Sequence, residues 1–204
     1  MKRFLALGDS YTIGEGVAAS DRWPNRLAAL LRAEQVEVSD PEIVARTGWT
    51  TDELSSAIDT AAPQGPFDLV SLLVGVNDQY RGLEIEGFRR RFTTLLQRSI
   101  AFASGAPSSV VVVSIPDWGV TPFAREQRRA MLKVADEIDA FNRVVRSEVS
   151  QAGARFVDVT PISRVALNDP ALLASDGLHP SASMYRLWVE QILAAARAAV
   201  VGGD

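Results

Sequence analysis

Val110-Val111-Val112-Val113-Ser114-Ile115 is a run of β-branched residues of strand length, unbroken by polar side chains until Ser114. A strand this apolar is buried on both faces, the pattern of a parallel sheet and not of a sheet with one wet side. Working outward, Asp68 to Val74 is a second apolar run of strand length. Arg3 to Leu7, Glu42 to Ala45 and Arg155 to Val159 are three shorter ones. Between them apolar residues adopt helical spacing. Trp23 to Gln35 sets Leu27, Leu30 and Leu31 on one face, with Asp21 as the expected N-cap and Pro24 in the first turn. Thr51 to Ala62, Gly87 to Ala103, Gln127 to Gln151 and Ser183 to Val200 read as the other helices, with Pro63, Gly105 and Gly153 as stop signals. Five buried strands alternating with helices imply an α/β fold, a three-layer α/β/α sandwich of flavodoxin-like class around a five-stranded parallel sheet. With 204 residues and no internal repeat or linker, residues 1–204 read as one domain.

Bulk properties narrow the function classes. A formal net charge of -4 argues against a nucleic-acid footprint, which needs clustered basic surface. The basic run Arg89, Arg90 and Arg91 reads as a solvated helix face. The absence of cysteine excludes thiol chemistry, disulfides and thiolate metal sites, and fits a reducing compartment. No apolar run reaches the ~18 residues that span a bilayer. Met1-Lys2-Arg3-Phe4-Leu5-Ala6-Leu7-Gly8 starts basic, but its apolar stretch is too short for a signal sequence and runs into Asp9, so a first strand is the better reading. The expected location is cytoplasmic. One histidine cannot build a multi-histidine metal site, and the carboxylates show no calcium-loop spacing, so no metal or cofactor is expected. Gly8, Gly14 and Gly16 follow a strand but do not make the dinucleotide-binding Gly-x-Gly-x-x-Gly.

In open parallel sheets ligands bind beyond the carboxyl ends of the strands. Four short segments fall on strand ends or in turn-rich loops. Gly8-Asp9-Ser10-Tyr11-Thr12 follows the first strand and presents a serine hydroxyl, though Asp and Ser are also ordinary turn residues. Arg46-Thr47-Gly48-Trp49-Thr50 follows the second strand, where Gly48 either offers a bare backbone N–H or merely enters the next helix. Gly75-Val76-Asn77-Asp78 ends the third strand, so Asn77 either donates its amide N–H to a developing oxyanion or closes an Asx turn. Asp176-Gly177-Leu178-His179-Pro180 holds the sole histidine, with a carboxylate three residues earlier able to fold back through Gly177 onto the ring. Asp158 and Asp9 are rivals for that acid. Asp158 better suits a cap on the turn at Thr160-Pro161, and Asp9 a bond to backbone N–H within its own loop.

Taken together, the four segments resemble the four sequence blocks of the SGNH, or GDSL-type, serine hydrolases, in family order and spread over nearly the whole chain. The resemblance implies Ser10 as nucleophile and first oxyanion donor, Gly48 and Asn77 as further oxyanion donors, His179 as general base and acid, and Asp176 as its orienting carboxylate. Tyr11 departs from the leucine in the family name; the residue is not a reacting group, so only local packing is affected.

The implied activity is hydrolysis of carboxylic esters with small or medium acyl groups through an acyl-enzyme, the partner being a small-molecule ester. Trp118 and Phe123, in the loop after the fourth strand, and Trp49, beside Gly48, are candidates for an acyl pocket, or for plugs in an apolar seam. A carbohydrate O-deacetylase, a thioesterase or a lysophospholipase would use the same groups. A non-catalytic α/β ligand-binding module would need none of Ser10, Asn77, Asp176 and His179 together. The sequence leaves the oligomeric state open.

Overall fold

The computed structural model describes residues 1–202. The sheet has five strands: β1 Phe4–Gly8, β2 Glu42–Ala45, β3 Leu69–Leu73, β4 Val110–Val113 and β5 Arg155–Val157. All neighbours are parallel, in the order β2-β1-β3-β4-β5. The three central strands are buried at every position, whereas β2 and β5 are only partly covered. The expectation of five buried strands therefore needs correcting at the two edges, where each strand has a neighbour on one side only.

Among the described residues, nine α-helices surround the sheet: α1 Ser10–Ile13, α2 Trp23–Ala33, α3 Thr51–Ala61, α4 Val76–Tyr80, α5 Ile85–Phe102, α6 Pro122–Glu126, α7 Met131–Ala152, α8 Thr160–Arg164 and α9 Ala182–Val201. Helices α2 and α9 pack together on one face, with Trp23, Tyr185 and Trp188 fully buried between them and the sheet. Helices α3, α5 and α7 cover the other. The result is the expected α/β/α sandwich.

Local chemistry explains the helix ends. Thr50 caps α3 in a capping box with Glu53, and Ser181 caps α9 by accepting from Met184 N–H. The N-cap of α2 is Arg22, not Asp21, which instead pairs with Arg26. The long helix expected over Gln127 to Gln151 is α7, which begins four residues later, at Met131, and runs to Ala152; residues 127–130 link it to α6, with Arg128 at a left-handed φ of 52°.

Strand β1 leads left to β2, and the chain then crosses back to β3 on the other side of β1. This reversal opens a crevice at the carboxyl edge, the usual ligand position in such sheets. Register brings three loops to it. Gly8, the last residue of β1, lies opposite Ala45 of β2 and Leu73 of β3. The segments that follow these three residues carry Ser10, Gly48 and Asn77.

Candidate active site

Ser10 opens α1, with Asp9 as its N-cap. Glycine is required just before it: a Cβ on Gly8 would lie 2.2 Å from Thr12 Oγ1 and 2.4 Å from the carbonyl oxygen of Leu73. The need is therefore for close approach of backbone to backbone. Asp9 Oδ1 accepts from Tyr11 N–H at 3.0 Å, while Oδ2 is buried without a hydrogen-bond partner. Burial, partly offset by the Tyr11 N–H and reinforced by nearby Asp78, pushes the Asp9 carboxyl up to about 8.

His179 lies in the loop before α9. That loop is tied down by an isolated bridge between Leu173 and Pro180 and by Ala174 N–H donating to His179 O at 2.7 Å. The neighbouring loop holds it too, through Phe123 N–H to Gly177 O at 3.2 Å. Asp176 folds back as its spacing suggested. Its Oδ2 is 2.6 Å from His179 Nδ1, and its Oδ1 accepts from the N–H groups of Leu178 and His179, both at 2.9 Å. Partial burial raises the Asp176 carboxyl, but these bonds from His179 and Leu178 outweigh it and hold the group below the usual carboxylate range. The rivals are engaged elsewhere. Asp158 bonds Ser114, Thr160 N–H and Arg146, and Asp9 caps α1.

A cavity of about 170 Å³ sits where these loops meet. Ser10, Gly48, Asn77 and His179 all line it. Its walls are Tyr11, Thr47, Val76, Tyr80, Trp118, Phe123 and Leu178, and among the described residues no lysine, arginine or carboxylate lines it. Tyr11, the departure from leucine, packs its buried ring edge-on against His179 with centroids 5.7 Å apart. Trp118 is buried, and its indole N–H donates to Gln79 Oε1 at 2.8 Å. Tyr80 stands edge-on to Trp118 with centroids at 5.3 Å, and Phe123 lies 6.1 Å from Trp118. Trp49 is not part of this wall; it is half-buried against the core, and only its carbonyl points to the site's framework.

Asn77 is in the first turn of α4, not in a loop. Its amide nitrogen donates to Trp49 O at 2.9 Å. Asp78, fully buried, accepts from Thr51 N–H at 2.9 Å and Thr51 Oγ1 at 2.6 Å, with Arg91 Nη2 at 3.4 Å. Asp78 is thus a strut between α4 and α3. Arg89 and Arg91 also work within the fold, bonding Glu148 and Thr51. Sequence reasoning missed Tyr80, Val76 and Leu178 as cavity walls. The one usable signal was the spacing of Asn77 and Tyr80, three apart, which shares a face once residues 76–80 are helical.

The chain as a whole has counterparts. Residues 6–187 match the model of the GDSL-like lipase/acylhydrolase family. The chain belongs to this family. A search of curated protein sequences returned no significant match. Among solved structures, the lipase/acylhydrolase from Enterococcus faecalis superposes with a TM-score of 0.74 at 20% identity, over 97% of this chain and 96% of that one. TesA gives 0.73 at 20% identity, over 95% and 97%. Axe2, an acetylxylan esterase from Geobacillus stearothermophilus, gives 0.71 at 18% identity, over 96% and 94%. At these identities the superpositions establish a shared fold. Membership of the GDSL-like family makes the chain a hydrolase of esterase type.

Proposed function

We propose that this GDSL-like hydrolase cleaves carboxylic esters of small or medium acyl groups through an acyl-enzyme on Ser10. The observation that carries the reading is the 2.6 Å contact of Asp176 with His179 Nδ1, at the rim of a cavity that His179 shares with Ser10, Gly48 and Asn77. With Nδ1–H given to the carboxylate, Nε2 is the basic nitrogen. It takes the Ser10 proton as Oγ attacks the ester carbonyl. The tetrahedral oxyanion is met by the N–H groups of Ser10 and Gly48 and by the Asn77 amide. An asparagine amide has two N–H bonds; one is engaged by Trp49 O and the other serves the oxyanion. The imidazolium, stabilised by Asp176, then protonates the leaving alcohol. Water repeats the cycle against the acyl-enzyme and frees the acid.

The walls support the acyl assignment. Tyr80, Trp118, Phe123, Val76 and Leu178 form an uncharged apolar box. A cavity of about 170 Å³ with these walls fits small or medium acyl groups. The test is hydrolysis of a p-nitrophenyl ester chain-length series by wild type and Ser10→Ala. Wild type should turn over C2 to C6 esters, and the variant should retain no more than background. Equal rates for the two proteins would reject Ser10. No hydrolysis of any ester by wild type would favour a ligand-binding module.

A further inference from the structure

Helix α7 starts against the rules for helix starts. Its N-cap is Ala130, which offers no side-chain hydrogen bond, and its first turn holds no carboxylate. Lys133 stands there instead, at the end of the helix whose dipole disfavours a cation. Met131 and Leu132, the first two residues of the helix, are exposed, the leucine to 74%. Local choices that oppose the fold in this way are expected where a surface serves a purpose outside the fold.

Charge gathers at the same place. Residues 125–133 hold Arg125, Arg128, Arg129 and Lys133 against the single carboxylate of Glu126, a formal charge of +3 in a chain of -4, so the rest of the chain carries -7. Arg129 is used within the fold: it lies over the Trp118 ring at 5.4 Å and pairs with Glu137 at 3.2 Å. Arg125 and Arg128 are exposed and have no carboxylate partner among the described residues. Lys133 is exposed as well, with only a loose contact to Glu137 at 3.9 Å. The apolar surface continues beyond the helix. An open cavity of about 590 Å³ beside it is lined by Tyr80, Leu83, Arg129 and Lys133 among others, and Tyr80 and Leu83 are themselves exposed. Tyr80 also lines the acyl cavity, so this face adjoins the rim of the active site.

We infer that the start of α7 and the link before it form a docking face for an anionic lipid surface. Met131 and Leu132 enter the headgroup layer, and Arg125, Arg128 and Lys133 meet its negative charge. Attraction of this kind grows with the apolar area buried and with each cation brought to the anionic surface. The exposed leucine and methionine stand out from the protein instead of lining a hollow, which suits a soft layer better than a shaped protein partner. A two-fold pairing of this face with itself would set cations against cations. Docking here brings the rim of the acyl cavity, through Tyr80, to the lipid.

The experiment is co-sedimentation of the full chain with vesicles of phosphatidylcholine alone and of phosphatidylcholine mixed equally with phosphatidylglycerol. The protein is expected to bind the mixed vesicles at least about tenfold more tightly, and to lose that preference as salt rises from about 0.1 M to about 1 M, where the screening length falls to about 3 Å. Arg128→Gln/Lys133→Gln should weaken binding to the mixed vesicles by about 25-fold, at about fivefold per cation. Met131→Ser/Leu132→Ser should weaken it by about tenfold or more. All four positions are exposed, so each double variant should keep Tm within about 2–4 °C of wild type. Equal binding to the two vesicle types, or binding to neither, overturns the inference, as does undiminished binding of either double variant. A wild-type assembly that Met131→Ser/Leu132→Ser dissolves, without vesicle binding, assigns the face to a second copy and overturns it too. Ser10→Ala should bind vesicles as wild type does, so the result stands apart from the esterase reading.

Discussion

His179 Nδ1 lies 2.6 Å from Asp176 Oδ2, while the other oxygen of the same carboxylate takes two backbone N–H bonds from Leu178 and His179. One side chain therefore shapes the turn and selects the imidazole tautomer. Replacing Asp176 with Asn preserves the shape but permits the wrong tautomer. In Asp176→Asn, kcat for p-nitrophenyl butyrate is expected to fall by about 10²–10⁴, with KM nearly constant. Unchanged turnover would remove Asp176 from the site.

Asn77→Ala removes the proposed side-chain donor to the oxyanion together with the bond to Trp49 O. The expected loss is ~10²–10³ in kcat, with little change in KM. Steady-state rates across C2 to C6 esters check this, and full activity would contradict it.

How much of this was legible beforehand depends on the range of the signal. The central strands β3 and β4 were readable because burial on both faces leaves an uninterrupted apolar run. The edges of the sheet were not, since β2 has only Val44 buried. Asp176 and His179 are three residues apart, so their contact follows from local geometry. The convergence of Ser10, Gly48 and Asn77 depends on Gly8 lying opposite both Ala45 and Leu73, a non-local register that no single segment encodes. The four motif blocks substituted for that information. They gave no hint of Tyr80, whose place in the wall depends on residues 76–80 turning helical right after a strand. Trp49 looked equivalent to Trp118 by residue type and loop position, yet only Trp118 faces the cavity.

Trp118 is one wall of the proposed acyl pocket, buried and tethered to Gln79. Truncating it enlarges the box but also costs stability, about 3–5 kcal/mol for a buried tryptophan. A ratio of rates avoids that complication. In Trp118→Ala, kcat/KM for the octanoate relative to the butyrate ester is expected to rise by about tenfold. An unchanged ratio would show that the acyl chain lies elsewhere.

Asp9 supplies a pH test independent of substrate. Its carboxyl, raised to about 8 in the fold, binds a proton there at pH values where the unfolded chain has lost it. The associated stability is complete below the ordinary carboxyl range and is lost as pH climbs through about 8. Asp9→Asn keeps an oxygen for Tyr11 N–H and has no such proton. Between pH 5 and 9, wild type should lose more stability than the variant, by up to roughly 4 kcal/mol. Denaturant melts at the two pH values measure the difference, and parallel losses would refute the raised carboxyl.

The central claim, a covalent intermediate on Ser10, is tested most directly by trapping it. Wild type and Ser10→Ala are incubated with a p-nitrophenyl alkylphosphonate, and the adduct is located by intact mass and peptide mapping. The expected result is one adduct per chain, on the peptide carrying Ser10, with activity lost in step and no adduct in the variant. An adduct on another residue, or hydrolysis that persists in unlabelled protein after full exposure, would contradict it.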